Sequence, residues 1–190
     1  GLMLHAPDDL LGPHGSDLAR GLRRARDAGL TERIGLSVYS PEQLAALVDR
    51  LPLEILQIPL NIFDRRFVET GWLDRLVADD VEVHARSVFL QGLLLIPSDS
   101  VPSKYAPFRT LIDGWHAWLA SDAAAGMSTV QACLAHVASY SGISRLVVGA
   151  DSLAQLQDII EAASAVPLRA PKSLASPATP LINPAQWNTL

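Results

Sequence analysis

Short, mainly apolar runs recur along the chain, and each ends at a small or polar residue. Four of them occupy residues 34–38, 56–61, 83–87 and 146–150, and sequence typical of a helix follows each run. Repeating strand–helix units of this kind predict a parallel sheet covered by helices. The chemistry of such sheets gathers where strands end and loops begin. The polar residues that close these runs are therefore the first candidates for function.

The full pattern predicts five strands, each followed by at least one helix. We expect strands at 2–4, 33–38, 54–61, 81–87 and 145–150, and helices at 17–28, 40–50, 67–78, 109–125, 128–139 and 152–163. Ser40, Pro41 and Gln43 form a clear helix start, with an N-cap, a proline at the first helical position and a capping box. Irregular chain is predicted for residues 89–107 and for the proline-rich tail from residue 166.

Five parallel strands are compatible with two architectures. They could form an open, doubly wound sheet. They could equally be the last five strands of an eight-stranded barrel, which typically needs about 250 residues. The pattern of apolar residues leaves both open.

Composition narrows the class of protein. The chain has 190 residues, 49% of them apolar and 18% charged, so one domain with a substantial core is expected. No apolar run is long enough to span a bilayer, and we expect no signal peptide, because the first residues lack the basic, apolar and small-residue pattern of one. A net charge of −5 argues against nucleic acid and anionic membranes as partners. The single cysteine, Cys133, excludes an internal disulfide, and a cytoplasmic location fits all of these features.

Five short motifs stand in a fixed order along the chain: LMLHAP at 2–7, IGLS at 34–37, QIPLN at 57–61, ARS with QGLL at 85–94, and VGADS with QL at 148–156. This series resembles the aldo-keto reductase superfamily. Each motif is weak alone, but five in this order at these separations are specific, and the resemblance covers residues 2 to about 163. Residues 181–184 with Trp187 resemble a bacterial branch often found beside sugar nucleotidyltransferases in surface-polysaccharide pathways.

The resemblance implies a TIM (β/α)8 barrel, present here as roughly its last five units. Residues 1–165 would form the partial barrel, and residues 166–190 an irregular tail packed on it. The family transfers hydride between a nicotinamide cofactor, NADP with NAD as the alternative, and a small carbonyl substrate. A sugar or sugar-nucleotide intermediate is the candidate substrate.

The family's catalytic tetrad is Asp, Tyr, Lys and His, and only the histidine has a counterpart, His5. We therefore expect the chain to be incomplete and inactive by itself. The alternative is a non-catalytic, reductase-like binding or regulatory module. A five-strand arc would also leave two strand edges unpaired, through which copies could associate.

Several strand-end residues receive roles from the resemblance. His5 would donate a hydrogen bond to the substrate carbonyl and polarise it. Ser37 and Gln57 would bind the nicotinamide carboxamide, since a hydroxyl and an amide suit its donor and acceptor. Arg86 stands where many relatives have an aromatic residue, and its guanidinium plane can stack on the nicotinamide ring or bind an anionic group.

Two further groups would hold the rest of the cofactor. The pyrophosphate-binding loop would begin at Ser87, Leu90 and Gly92, where glycine lets the backbone approach phosphate oxygens. The adenosine end would be bound at the start of a helix, whose free N–H groups attract phosphate. An acid at Asp158 would repel a 2′-phosphate, which weakens the expectation of NADPH preference. The matching residues are Gly149, Ala150, Ser152, Gln155 and Asp158.

Other conspicuous residues are better explained by packing. His84 reads as a core histidine, and no spacing of His, Cys or acidic residues predicts a metal site. Cys133 lies among apolar residues of a predicted helix and reads as core. Trp115 and Trp118 have helical spacing and read as packing residues.

Overall fold

One parallel sheet organises the structure, a computed structural model that describes residues 1–124 and 126–189. Its strand order is the chain order, β1-β2-β3-β4-β5, and β1–β2 and β2–β3 pair in parallel. A doubly wound sheet reverses its strand order at a switch point, whereas a (β/α)8 barrel keeps it. The barrel alternative is therefore confirmed as the fold class. The strands are β1 (Leu2–Leu4), β2 (Ile34–Ser37), β3 (Ile55–Pro59), β4 (Glu82–Arg86) and β5 (Arg145–Leu146).

Helices follow every strand. The α-helices are α1 (Gly15–Asp27), α2 (Pro41–Leu47), α3 (Arg66–Glu69), α4 (Trp72–Ala78), α5 (Arg109–Leu119), α6 (Thr129–Ala138), α7 (Leu153–Ala162) and α8 (Thr179–Ile182). Short 3-10 helices occupy Pro7–Leu11, Leu93–Leu95, Ser98–Ser100, Ser103–Phe108, Asp122–Ala124, Lys172–Leu174 and Pro184–Thr189. Within the described residues, the helices are all too short or too polar to cross a bilayer.

The predicted element bounds need four corrections. The predicted helix 67–78 is two helices, because Gly71 adopts a left-handed conformation with φ of +76° between them. The predicted helix 40–50 ends at Leu47. The predicted strand 145–150 keeps only two residues, and Val147 after it is exposed. The predicted helix 109–125 gives way to a 3-10 turn after Leu119, and Ala125 lies outside the described residues.

The chain divides into two compact units, and each is built from three separate segments of the sequence. The first unit contains residues 1–59, 66–85 and 142–145, and the second contains residues 60–65, 86–141 and the chain from residue 146 onward. The division at residue 165 between barrel and tail stays a prediction.

In the first unit, β2 and the helices around it form the core. All four residues of β2 are buried, and Leu44 and Leu47 of α2 are completely buried. Gly35 is required there, because a Cβ at this position would lie 1.6 Å from the carbonyl oxygen of Ile55 on β3. The close approach of these two strands places Ser37 of β2 beside Gln57 of β3.

In the second unit, the buried faces of α5 and α6 form part of the core. Trp115 is completely buried, donates a hydrogen bond from Nε1 to the Leu94 carbonyl at 3.0 Å, and stacks on Trp118. Cys133 of α6 is also completely buried, and burial raises the pKa of its thiol. The packing roles predicted for Trp115 and Cys133 are confirmed.

Candidate functional site

Two polar side chains meet between β2 and β3 in the first unit: Ser37 ends β2, whereas Gln57, predicted to end its strand, lies in the middle of β3. The parallel register places Ser37 opposite Gln57. Ser37 Oγ donates a hydrogen bond to Gln57 Oε1 at 3.0 Å, and the amide of Val38 donates to the Gln57 carbonyl at 2.9 Å. Ser37 is only 3% exposed, whereas Gln57 is half-buried. The structure thus brings together the two residues predicted to bind the nicotinamide carboxamide.

His5 follows β1 at the same end of the sheet. Because Leu4 pairs with Leu36, His5 leaves the sheet beside the position of Ser37. Its side chain is exposed, and its ring meets the ring of Tyr39 edge to face, with centroids 6.5 Å apart. An exposed imidazole at a strand end is accessible to a small ligand.

The contacts of His84 on β4 indicate a structural role. Its Nε2 lies 2.8 Å from Glu82 Oε1, and Glu82 also pairs with Arg33. Burial, with the charges of Arg145 and Arg33, lowers the pKa of His84. In the described part of the chain, no group of three or more His, Cys, Asp or Glu residues is arranged to hold a metal ion.

In the second unit, Arg86 ends β4 and Ser87 begins the following loop. Arg86 is half-buried, and its Nη1 donates to Ser87 Oγ at 3.2 Å. The Arg86 carbonyl accepts a hydrogen bond from the amide of Leu60 at 3.1 Å. Arg86 is therefore held at the strand end and does not project freely into solvent.

The loop after Arg86 has an unusual backbone. Residues 87–92 form a tight turn, which is named the 87–92 turn below. Ser87, Leu90 and Gln91 have φ of +59°, +46° and +51°, and Gly92 has φ of +83°. Each of the three non-glycine residues costs about 1 kcal/mol or more in this conformation. Leu90 is completely buried, so its packing offsets part of that cost.

The residues predicted for the adenosine end surround the start of α7. Ser152 is the N-cap, and its Oγ accepts from the amide of Gln155 at 3.2 Å. Gln155 Oε1 in turn accepts from the amide of Asp151 at 2.7 Å. Gly149, Ala150, Ser152, Gln155 and Asp158 are all exposed. The side chains of Ser152 and Gln155 cap the helix, and the helix start remains exposed.

The family of the chain can now be identified. The model of the aldo/keto reductase family matches residues 2–172. The chain belongs to this family. No curated protein matches the chain significantly.

Solved aldo-keto reductases share the fold. The apo form of an aldo-keto reductase from Bacillus halodurans is 20% identical, with a TM-score of 0.66 over 84% of this chain and 54% of that one. Its holo form gives 20% identity and a TM-score of 0.62 over 79% of this chain and 50% of that one. A thermostable aldo-keto reductase in complex with the inhibitor epalrestat is 18% identical, with a TM-score of 0.59 over 91% and 56%. The chain spans about half the length of these structures.

This aldo-keto reductase chain also contains a buried polar cluster that the sequence analysis missed. Asn61, Asp64 and His136 are completely buried, and Arg65 is 3% exposed. Asn61 Oδ1 accepts from the amides of Phe63 and Asp64, both at 2.9 Å. The sequence contained two signals of this cluster: a polar run directly after an apolar strand, and one histidine within an apolar helix.

The cluster reaches the C-terminal segment of the second unit. Arg65 donates from Nη1 to the Ala170 carbonyl at 3.0 Å, and the Ala170 amide donates to His136 Nδ1 at 3.1 Å. Within the described residues, His136 Nε2 is buried without a hydrogen-bond partner. Burial, reinforced by the charges of Arg65 and Arg169, lowers the pKa of His136 to about 3. His136 is therefore neutral at physiological pH.

Three places in the chain, one in the first unit and two in the second, each fit a part of a nicotinamide cofactor. Ser37 and Gln57 already form a hydroxyl–amide pair of the kind that a carboxamide requires. A Cβ at Gly92 or at Gly149 would meet no other atom within 4 Å, so the backbone there is open to a ligand. The start of α7 is exposed.

Proposed function

We propose that this chain carries the cofactor-binding residues of an NAD(P)H-dependent oxidoreductase that reduces a small carbonyl substrate. Membership of the aldo/keto reductase family supports this proposal. The observation that carries it is the hydrogen-bonded pair of Ser37 and Gln57 on the neighbouring strands β2 and β3. A sugar or sugar-nucleotide intermediate is the proposed substrate, and the cytoplasm the proposed location.

The bound cofactor would supply the hydride. In this proposal Ser37 and Gln57 hold the nicotinamide carboxamide, and Arg86 lies against the nicotinamide ring. His5 donates a hydrogen bond to the substrate carbonyl oxygen, which orients the carbonyl and stabilises the negative charge that develops on it.

The 87–92 turn, with Ser87, Leu90 and Gly92, would bind the pyrophosphate through its backbone. Gly149, Ala150, Ser152, Gln155 and Asp158 would bind the adenosine end at the start of α7. NADP is the proposed cofactor and NAD the alternative. The Asp158 carboxylate would oppose a 2′-phosphate, so we expect only a small difference in affinity between NADPH and NADH.

Reduction of a carbonyl by this chain alone is not expected. His5 is the one residue assigned to the catalytic tetrad, and Tyr39, Tyr105 and Tyr140 do not match the position of the tyrosine acid. Residues 1–165 are proposed as the partial barrel and the following residues as its tail.

Titration of the chain with NADPH, followed by energy transfer from tryptophan to the bound nucleotide, tests the proposal. We expect saturable binding, weakened about tenfold in Gln57→Leu, which removes one strong polar contact. Gln186→Leu makes the same chemical change at an exposed position of the C-terminal segment and should leave the affinity unchanged.

Three results would contradict different parts of the proposal. If neither NADPH nor NADH binds, the chain does not carry a cofactor site, and the non-catalytic module is favoured. Equal affinities of the chain and Gln57→Leu would remove the assigned carboxamide site. Measurable carbonyl reduction by the chain would contradict its expected inactivity.

Self-association through the strand edges is a separate proposal. β1 is an edge strand in the described sheet, and the side chain of Leu2 in it is exposed. An unpaired edge presents N–H and C=O groups to a second copy. Light scattering should show a mass that rises with concentration, and a constant monomer mass would refute this.

A further inference from the structure

We propose that Asn61 is a positioning residue of the cofactor site, whose side-chain amide holds the 87–92 turn in the shape that binds pyrophosphate. This inference rests on the proposed function, because that function assigns the turn its ligand. All of the residues involved lie in the second unit.

One side chain joins two loops. Asn61 follows β3, and its Oδ1 accepts hydrogen bonds from the amides of Phe63 and Asp64. Its Nδ2 donates to the carbonyl oxygen of Ser87 at 3.1 Å. Asn61 is completely buried, so water cannot replace a lost partner without a structural change. The position of the Ser87 carbonyl is thereby tied to the loop that begins at Asn61.

The 87–92 turn needs an external support at this point. Ser87 is its first residue and already has a left-handed backbone. The Ser87 carbonyl accepts from the amide of Leu90 at 2.9 Å inside the turn, and from Asn61 Nδ2 outside it. A carbonyl oxygen has two lone pairs, and both are used here. If Ser87 relaxed to an extended backbone, the buried amide of Asn61 would lose its acceptor.

The support is itself anchored. The Phe63 carbonyl accepts from the amide of Ser176 at 2.8 Å. Arg65 donates to the Ala170 carbonyl, and the Ala170 amide donates to His136 on α6. The loop 61–65 is therefore fixed to the C-terminal segment and to a buried helix before it touches Ser87. A group that positions a binding loop works only when its own supports are rigid.

Substitution of Asn61 by Asp isolates the proposed interaction. Aspartate has the same shape and keeps an oxygen that accepts from the amides of Phe63 and Asp64. It replaces the Nδ2 donor with a carboxylate oxygen that repels the Ser87 carbonyl. Asn183→Asp is the matched control, because Asn183 Oδ1 likewise accepts a backbone hydrogen bond, from Ala185, and lies in the same unit.

The measurement is the affinity of the chain for two ligands. NADP contains a pyrophosphate, whereas adenosine 2′,5′-bisphosphate does not. We expect Asn61→Asp to weaken NADP binding about tenfold and to change bisphosphate binding less than about twofold. Asn183→Asp should change neither. A purely structural role for Asn61 would weaken both ligands together, and equal NADP affinities of Asn61→Asp and the unchanged chain would overturn the proposal.

Hydrogen exchange separates this inference from the proposed function. Exchange at the Leu90 amide should be accelerated in Asn61→Asp and unchanged in Asn183→Asp. If the unchanged chain binds no NADP, the proposed function fails, and accelerated exchange would still support positioning of the turn by Asn61. Unchanged exchange at Leu90 would overturn the inference whatever the affinities are.

A second variant covers the case in which Asn61→Asp does not fold. Asn61→Ser carries no charge and keeps a short oxygen that can accept from the amide of Asp64. Its hydroxyl is too short to reach the Ser87 carbonyl. It should show the same selective loss of NADP affinity, and retained NADP affinity in this variant would refute the proposal.

Discussion

The helices α6 and α7 begin in the same way and are packed in opposite ways. Each has ten residues and a serine N-cap whose Oγ accepts from the amide three residues on, at 3.2 Å in both. Every residue from Ala132 to Val137 in α6 is buried, whereas Ala162 is the single buried residue among those described in α7. Leu153 of α7 is 71% exposed.

This difference shows that a cap and the packing of a helix face have separate effects on a helix. A cap satisfies the free N–H groups of the first turn and so decides where a helix begins. Burial of a helix face decides how much that helix contributes to the free energy of unfolding. We therefore expect α6 to unfold with the second unit as a whole, and α7 to open locally at a lower free energy.

The largest expected contrast comes from the same truncation in both helices. Leu134→Ala in α6 should lower the free energy of unfolding by about 2–5 kcal/mol, because Leu134 is only 5% exposed and its loss leaves a cavity. Leu153→Ala in α7 should change it by less than about 0.5 kcal/mol. Chemical denaturation of both variants measures the contrast. Equal losses would show that α7 is packed as tightly as α6.

The next effect is a pH dependence that arises in α6. His136 has a pKa of about 3 in the folded chain, whereas the ordinary pKa of a histidine is about 6.5. Between these values the unfolded chain takes up a proton that the folded chain does not, so stability falls as the pH is lowered from about 6.5 towards 3. One such group gives a slope of about 1.4 kcal/mol per pH unit.

His136→Asn should remove that slope, because the amide cannot titrate and its oxygen can still accept from the Ala170 amide. Replacement of the exposed His14 by Asn is the control and should preserve the slope. Denaturation curves at several pH values provide the measurement. Parallel pH profiles for the unchanged chain and His136→Asn would refute the assignment.

The smallest effect concerns the caps themselves. Ser128→Ala and Ser152→Ala each remove one capping hydrogen bond, which is worth about 1 kcal/mol. The loss at Ser128 should appear in the global unfolding free energy. The loss at Ser152 should appear as faster amide exchange confined to the first turn of α7. Identical behaviour of the two variants would contradict the difference in cooperativity.

Local sequence signals predicted the elements well. Ser40 accepts from the Gln43 amide, as the pattern of Ser40, Pro41 and Gln43 indicated. The alternation of strands and helices predicted the number and order of the strands. It did not predict the break at Gly71, because a glycine within an apolar helical pattern is often tolerated in the helix. It also overestimated β5, since an apolar run does not form a ladder without strand partners.

The sequence predicted only some of the residues of the candidate site. Ser37 and Gln57 could be found because each is a polar residue in an apolar strand, and the family resemblance gives both positions a role. Asn61 could not be assigned a role, because its partner Ser87 is 26 residues away in sequence. His136 was hidden for a related reason, since its partner Ala170 is 34 residues away. Polar groups that are satisfied by distant backbone atoms leave no local pattern.

The burial of Cys133 has a practical consequence for spectroscopy. It is the only cysteine of the chain, and it lies inside α6 with a raised thiol pKa, so maleimide reagents cannot reach a reactive thiolate. A single cysteine introduced at an exposed position, such as Gln157 on α7, would then be the sole labelled site. A dye or spin label placed there could report on the mobility of α7 without background and without removal of the natural residue.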